Sequence, residues 1–234
     1  MPRRGPSGPQ GSPAAGGVEK TPEFVGARYD RLAPIYGLFE WLYALPLVGA
    51  RRKSVEALRL REGDVVVELG CGSGRNFSLI EGRIGPTGAI FGVDMSARML
   101  ARATARVRRR GRTNVHLICG DAATFVPPSR VHAVLLCFSY STMRDRLRIL
   151  ESAWGWLEAG GRLVITDALL RPGWPRRAFL RLGVWVSDRT LLGKPDTDPS
   201  RDLALLAGGV HERRISLGVG FDYVICAATK QAAV

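Results

Sequence analysis

The sequence predicts an α/β protein in which a doubly wound parallel sheet is covered by helices on both faces. Short, continuous apolar runs, typical of strands buried on both sides, alternate with longer runs in which apolar residues recur every three or four positions. With 234 residues, 46% of them hydrophobic, the chain has room for one domain with a sizeable core and some additions. The order β-α-β-α-β favours parallel pairing, because parallel neighbours need a helical crossover.

The amino-terminal part of the chain changes in character near residue 20. Residues 1–20 mix Pro, Gly and Ser with almost no apolar content, which predicts a disordered tail. We expect residues 21–234 to form a single domain. Apolar residues at helical spacing predict two cap helices within residues 21–60, where Pro46 interrupts the pattern and the second helix covers about residues 49–60.

Five strands and three helices are predicted for the middle of the chain. The first helix begins after Gly74, the second is capped by Ser96 and stops at Gly111, and the third carries an apolar stripe between Leu147 and Leu157. The predicted strands cover residues 65–69, 89–93, 115–119, 133–138 and 162–166.

The alternation of strands and helices ends after the fifth strand. Residues 172–200 are predicted as a cap insertion, with an apolar helix at 174–192 and a polar loop at 193–200. Residues 213–217 and 223–229 then predict an antiparallel hairpin.

The charge of the chain favours anionic partners. Lys and Arg number 34 against 21 Asp and Glu, which gives a net charge of +13. Because only four of these cations are Lys, an Arg-rich codon bias explains the excess equally well. One basic cluster lies at a predicted helix C-terminus, where cations complement the helix dipole, and we favour that interpretation over phosphate binding. The cluster comprises Arg106, Arg108, Arg109, Arg110 and Arg112.

Cysteine usage and the lack of long apolar segments indicate a cytoplasmic protein. The four cysteines (Cys71, Cys119, Cys137 and Cys226) form no C-x-x-C pair and lie in or beside strand patterns, so we expect buried, reduced thiols. The first residues lack the apolar core of a leader peptide, and no segment reaches the roughly 18 apolar residues that span a bilayer. The sequence is also compatible with peripheral contact of the protein with the inner face of the membrane.

The residues that indicate a ligand-binding site most strongly lie in the loop after the first strand, Glu68-Leu69-Gly70-Cys71-Gly72-Ser73-Gly74. Its three glycines allow a sharp turn and the close approach of a ligand that a Cβ would exclude. At the end of the second strand, Asp94 is placed to accept hydrogen bonds from both ribose hydroxyls of a nucleoside. Gly120-Asp121-Ala122 follows the third strand, where a carboxylate could meet an adenine amine.

The spacing of the glycines separates the candidate cofactors. A dinucleotide fold requires G-x-G-x-x-G, but here the third glycine comes one residue early, and the G-K-[ST] ending of a P-loop is absent. Glu68 stands two residues before the first glycine. The pattern therefore favours a nucleoside joined to an amino-acid end, without a pyrophosphate.

Taken in order, these motifs resemble those of the class I S-adenosylmethionine-dependent methyltransferases. The resemblance extends over about residues 29–230. It implies a Rossmann-like, mostly parallel sheet of seven strands, S-adenosylmethionine as the cofactor, and no metal. The cofactor positions that it implies are Glu68, Gly70, Cys71, Gly72, Gly74, Asp94, Met95, Asp121, Ala122 and Phe138.

The resemblance also assigns roles to these positions. The glycine loop surrounds the methionine part, and Glu68 acts on its amino end directly or through water. Asp94 accepts from the ribose and Met95 packs on the adenine, whose amine Asp121 contacts.

The acceptor is suggested by a narrower resemblance. Tyr29-Asp30-Arg31-Leu32-Ala33-Pro34-Ile35-Tyr36 is similar to the entry of the ubiquinone/menaquinone C-methyltransferase (UbiE-type) group, although Gly37 replaces the second acid of that group. Residues 136–143 and 160–167 are similar both to that group and to bacterial phospholipid N-methyltransferases. We therefore predict a lipid-like or small hydrophobic acceptor, with a phospholipid amine ahead of a quinone ring.

The sequence also bears on alternative functions. No N/D-P-P-Y element follows the fourth strand, so methylation of a flipped base is disfavoured and nucleic acid is not the expected substrate. A nicotinamide oxidoreductase and a non-catalytic nucleotide- or RNA-binding module are the alternatives from other classes.

Methyl transfer needs an acceptor held in line and deprotonated, with water excluded. The residues predicted to orient the acceptor or take its proton are Tyr29, Tyr36, Tyr140 and Asp167. His116 and His132 are expected to be structural strand residues, and His211 to lie in the loop before the hairpin.

Two apolar segments outside the predicted sheet carry basic residues beside aromatic ones. They cover residues 35–48, followed by Arg51-Arg52-Lys53, and residues 174–192, with Arg176, Arg177 and Arg181. This composition suits either contact with an anionic membrane surface or helices that cap the sheet.

Overall fold

A computed structural model of the protein describes residues 44–170, 197–216 and 221–232. Its helices are α1 (Ala44–Ala57), α2 (Phe77–Ile84), α3 (Ala97–Arg109), α4 (Arg146–Trp156) and α5 (Pro199–Ala207). Its strands are β1 (Val65–Leu69), β2 (Ala89–Asp94), β3 (Val115–Cys119), β4 (Val131–Cys137), β5 (Leu157–Leu170), β6 (His211–Ser216) and β7 (Phe221–Thr229). A single 3₁₀ turn covers Tyr140–Thr142.

The seven strands form one sheet in the order β3-β2-β1-β4-β5-β7-β6. The first five strands in this order run parallel to one another, and β7 runs antiparallel to both β5 and β6. The predicted fold class is therefore confirmed, including the hairpin at the carboxyl-terminal end. The strand order reverses between β1 and β4, and ligands of such sheets bind beyond the carboxyl ends of the strands at this point.

Helices cover both faces of the sheet. On one face, α1, α2 and α3 enclose a core that includes Val55, Phe77 and Ala103 with Val66 of β1. On the other face, α4 and α5 pack Leu150 and Leu203 against the alternate strand residues. The strands are apolar on both sides for this reason, which explains why continuous apolar runs predicted them.

Both ends of helix α3 are specified by residues within or next to the helix. The side chain of Ser96 accepts a hydrogen bond from the backbone N–H of Met99, as the predicted cap requires. Its last turn holds Arg106, Arg108 and Arg109, which favours the interpretation of the basic cluster as a complement to the helix dipole. Arg106 also donates to the carbonyl of Ser73, so this helix braces the glycine loop.

Several predicted boundaries and placements were wrong. Helix α1 starts at Ala44, because Pro46 lies in its first turn, where a missing N–H costs nothing. Helix α5 occupies the end of the predicted polar loop, with Pro199 at its first position and Asp198 as its cap. His211 opens strand β6 instead of lying in a loop.

The cysteine prediction was right for three thiols and wrong for one. All four cysteines are free, and Cys71, Cys137 and Cys226 are buried. Cys119 is exposed because it ends β3, the edge strand of the sheet. The tail 1–20, residues 21–43 of the predicted cap region and residues 172–196 of the predicted insertion lie outside the described residues. Among the helices that the structure describes, none is long and apolar enough to cross a bilayer.

Candidate functional site

The fold gathers the predicted cofactor residues at the carboxyl ends of β1 to β4. The glycine loop follows β1, Asp94 ends β2, Asp121 comes two residues after β3, and Phe138 directly follows β4. These elements are neighbours in the sheet and surround the point where the strand order reverses. A single bound ligand could therefore contact the glycine loop, Asp94, Asp121 and Phe138.

The glycine loop is held by backbone hydrogen bonds from both sides. The N–H groups of Gly70 and Cys71 donate to the carbonyl of Val93, at 2.8 and 3.1 Å, which ties the loop to β2. The N–H of Gly74 donates to the carbonyl of Cys71 at 3.0 Å and closes the turn. All three loop glycines have positive φ, which disfavours a side chain at each of them.

The three glycines differ in what surrounds them. A Cβ at Gly70 would lie 2.4 Å from the Cβ of Ser139, and one at Gly74 would lie 2.5 Å from the ring of Phe77. A Cβ at Gly72 would have no described atom within 4 Å. Gly70 and Gly74 are thus required by packing, whereas Gly72 leaves open space on the side where a ligand would lie.

Asp94 is fixed by two backbone donors. Its Oδ2 accepts from the N–H of Gly72 at 2.7 Å, and its Oδ1 accepts from the N–H of Ser96 at 2.9 Å. An ionised carboxylate is an acceptor with several lone pairs on two oxygens, which is the chemistry that a pair of ribose hydroxyls requires. Asp94 therefore connects the glycine loop, the start of α3 and the place predicted for a ribose.

Asp121 and Phe138 approach the site from the flanking loops. Gly120 donates to the carbonyl of Asp94 at 3.1 Å, and the Oδ1 of Asp121 accepts from the N–H of Ala123 at 2.9 Å. Phe138 has φ of 59° and donates its N–H to the carbonyl of Thr166 at 2.7 Å. A positive φ on a phenylalanine costs on the order of 1 kcal/mol or more, and such strain is concentrated at functional sites.

The carboxyl group of Glu68 is buried at the floor of the site. Glu68 is only 1% exposed, and its Oε1 accepts from the amide nitrogen of Asn76 at 2.7 Å. Its Oε2 is buried and has no hydrogen-bond partner within the described residues. Burial raises the pKa of Glu68 to about 7, although Asn76 and Arg51 lower the pKa in part. A cationic donor placed here would satisfy the orphaned oxygen.

Arg51 is a candidate site residue that its sequence context does not indicate, because the stretch Arg51-Arg52-Lys53 suits either a membrane surface or a helix that caps the sheet. Its guanidinium donates to the Oδ1 of Asn76 at 3.3 Å and lies 5.4 Å from the centre of the Phe138 ring. One turn later, the hydroxyl of Ser54 lies 2.6 Å from that of Thr166 in β5 and anchors α1 to the sheet. Arg51 is thereby held beside Asn76 and the end of β4, where it also contacts Cys137.

Asn76 was also missed, and its only sequence signal is its position two residues after the last loop glycine. It precedes α2, and its amide donates to Glu68 while its carbonyl accepts from Arg51. No spacing rule links these residues, because Arg51 and Asn76 are 25 positions apart.

Two of the four predicted catalytic residues lie within the described part of the chain. The buried hydroxyl of Tyr140 donates to Asp202 of α5 at 2.8 Å, and burial together with this carboxylate raises the pKa of the phenol. The buried carboxylate of Asp167 accepts from the N–H groups of Ser141 and Ala168, at 2.7 and 2.9 Å, and burial raises the pKa of Asp167. Tyr29 and Tyr36 lie outside the described residues.

The residues present fit S-adenosylmethionine. Glu68, with its orphaned carboxylate oxygen, and the guanidinium of Arg51 both bond Asn76, and these are the partners that the ammonium and the carboxylate of an amino acid require. Space is open at Gly72, whose N–H donates to Asp94, and the charged carboxylate of Asp94 suits the hydroxyls of a ribose.

Comparison with known proteins agrees with this assignment. The family model described as "Methyltransferase domain" matches residues 66–161. The demethylmenaquinone methyltransferase of Listeria welshimeri is 26% identical over 161 residues, covering 67% of this chain and 68% of that protein. The chloroplastic 2-phytyl-1,4-beta-naphthoquinone methyltransferase of Arabidopsis thaliana is 30% identical over 147 residues, covering 59% of this chain and 55% of that protein.

A solved structure supports the fold. The SAM-dependent methyltransferase from Aquifex aeolicus superposes with a TM-score of 0.55 at 18% identity, covering 76% of this chain and 88% of that one. The sheet order, the glycine loop, the acidic positions and the relatives agree, and the chain is a class I S-adenosylmethionine-dependent methyltransferase that resembles the UbiE-type quinone methyltransferases.

Proposed function

We propose that the protein methylates a ring carbon of a prenylated quinol. The observation that carries this proposal is that the relatives reported above, aligned over 67% and 59% of the chain, are named for naphthoquinone substrates. This reverses the order predicted from the sequence, which placed a phospholipid amine ahead of a quinone ring. Both acceptors are hydrophobic, so the general prediction of a lipid-like substrate is kept.

The reaction makes modest demands on the protein. S-adenosylmethionine would supply an electrophilic methyl group and leave as S-adenosylhomocysteine. A quinol ring carbon attacks that methyl group most readily when a ring hydroxyl has lost its proton, and the ring carbon then loses its own proton, which restores the aromatic ring and allows the hydroxyl to be reprotonated, so that one proton is released overall. The chain must hold the acceptor in line, exclude water and take up that proton. We propose that Phe138, held with positive φ beside Arg51, forms part of the wall between cofactor and acceptor.

Asp167 and Tyr140 suit positioning roles. Asp167 binds the N–H of Ser141 and so fixes the turn that carries Phe138 and Ser139 into the site. Tyr140, through Asp202, links the same turn to α5. We propose that both residues orient the site, since their polar atoms already have partners in the fold.

An acceptor assay tests the proposal. Purified protein with methyl-labelled S-adenosylmethionine is supplied separately with a chemically reduced polyprenyl naphthoquinol and with phosphatidylethanolamine vesicles. We expect label in the quinone fraction and none in the phospholipid fraction. Because the nucleophile is the quinol, the oxidised quinone should accept far less label. Transfer to the phospholipid alone would contradict quinol methylation and favour the amine.

We further propose that Arg51 binds the carboxylate of the cofactor's amino-acid end. Replacing it by methionine should weaken binding of S-adenosylhomocysteine about tenfold, since a charge-assisted hydrogen bond contributes about 1.5 to 3 kcal/mol. Arg52→Met on the same helix is the matched control, because Arg52 is 72% exposed and pairs with Glu56. Calorimetric titration measures both affinities, and equal losses in the two variants would exclude a specific role for Arg51.

A further inference from the structure

A cavity lined by several charged residues lies away from the cofactor site. It has a volume of about 230 Å³ and lies between the end of α1 and strands β5, β6 and β7. Its floor includes Arg162, which precedes Thr166 by four residues in β5, a distance of about 13 Å along a strand. The cavity thus lies towards the amino ends of the parallel strands, whereas the cofactor site lies beyond their carboxyl ends.

The cavity is lined by four cations and two acids. The cations are Lys53, Arg59, Arg162 and Arg213, and the acids are Glu56 and Glu212. Each acid has basic partners of its own: Glu56 lies 3.5 Å from Arg52 and 3.9 Å from Arg83, and Glu212 binds Arg214.

None of the four lining cations forms an ion pair with the residues that the structure describes. Within the described residues, the lining therefore carries an excess of positive charge that no ion pair neutralises.

Arg162 is the most deeply placed of these cations. It is 7% exposed, and its Nε is buried without a hydrogen-bond partner in the described part of the chain. Burial and the nearby charge of Arg59 lower the pKa of Arg162. A buried guanidinium with an unsatisfied donor and a like-charged neighbour is costly, because neither desolvation nor repulsion is offset. A bound anion would remove both penalties.

We propose that this cavity binds a phosphate-type oxyanion, with Arg162 as its anchor and Arg59 and Lys53 as flanking contacts. A guanidinium offers parallel N–H donors that match two oxygens of a phosphate, and the ammonium of Lys53 adds charge. The shared chemistry is that of a phosphate group, whether free or in a lipid headgroup. The inference is independent of the quinol proposal, since no residue of the cofactor site lines this cavity.

Inorganic phosphate is the first probe. We would measure thermal unfolding and calorimetric binding with saturating S-adenosylhomocysteine present, so that the cofactor site is blocked, and with chloride balancing the ionic strength. The wild type should show a saturable rise in Tm, and Arg162→Met should weaken phosphate binding at least fivefold. Arg59→Gln should do the same and covers the case in which Arg162→Met does not fold. Arg108→Gln is the control: it makes the same change of charge at an exposed residue of α3, and this variant should bind phosphate like the wild type.

A second arm distinguishes the two sources of phosphate. If the ligand is a lipid headgroup, more wild-type protein than Arg59→Gln should co-sediment with vesicles of phosphatidic acid in phosphatidylcholine. If the ligand is free phosphate, the wild type should bind inorganic phosphate but should not co-sediment with the vesicles. Either result supports the site. Equal binding of both probes by the wild type, Arg59→Gln and Arg108→Gln, or no binding of either probe, would overturn it. Unchanged binding of S-adenosylhomocysteine by the variants shows that their cofactor site is intact.

Discussion

Asp94→Ala should weaken the binding of S-adenosylhomocysteine by at least about 30-fold, equivalent to about 2 kcal/mol. Hydrogen bonds to a charged acceptor contribute about 1.5 to 3 kcal/mol each, and Asp94 is expected to accept two from the ribose. The substitution also removes the acceptor for the N–H of Gly72, so the loop loses one of its supports. Calorimetric titration at constant salt measures the change.

Asp64→Ala is the matched control for this substitution. Asp64 precedes β1, at the other end of the strand from the glycine loop, and accepts from the N–H of Arg61 at 2.7 Å. Its loss should leave the affinity for S-adenosylhomocysteine unchanged. Asp94→Asn should fall between Asp94→Ala and the wild type, because an amide keeps one acceptor oxygen without the charge. If both alanine variants bound like the wild type, Asp94 would not be the ribose acceptor.

Glu68→Gln should change how the stability of the cofactor-free protein depends on pH. The folded-state pKa of Glu68 is about 7, above its ordinary value of 4.5, so the folded state binds more protons than the unfolded state between these values. Stability from this group is therefore fully present below about pH 4.5 and is lost as the pH rises through 7. Between pH 5 and pH 8 the wild type should lose about 2 kcal/mol more than the variant. Urea unfolding at the two pH values measures this difference, and parallel losses would contradict it.

The same carboxyl group should couple cofactor binding to protons. An ammonium beside the orphaned Oε2 stabilises the ionised form, so binding at pH 6 should release roughly one proton from the wild type. Glu68→Gln has no proton to release at this position. Titrations in two buffers of different ionisation enthalpy count the protons. Equal release by both proteins would show that Glu68 does not meet the charged amino end.

The parts of the site that are encoded locally were predictable. The loop Glu68 to Gly74 and Asp94 could be placed because each follows directly from a strand that its apolar run identifies. The cap of α3 was predictable for the same reason, since Ser96 and Met99 are three residues apart. Sequence spacing and spatial distance coincide in these cases.

The parts that depend on tertiary packing were not predictable. Arg51 reaches the site because Ser54 bonds Thr166, 112 positions later in the chain, and no local pattern encodes that contact. The exposure of Cys119 depends on β3 being an edge strand, which is a property of the sheet order. Helix α5 is short, and its Pro-containing start was interpreted as a loop.

A crystal structure with S-adenosylhomocysteine tests the central claim most directly. We expect the ligand in the space beside Gly72, with ribose hydroxyls on the carboxylate of Asp94 and the amino-acid end between Glu68 and Arg51. A ligand bound elsewhere, or an ordered side chain filling the space at Gly72 in the presence of saturating ligand, would contradict it.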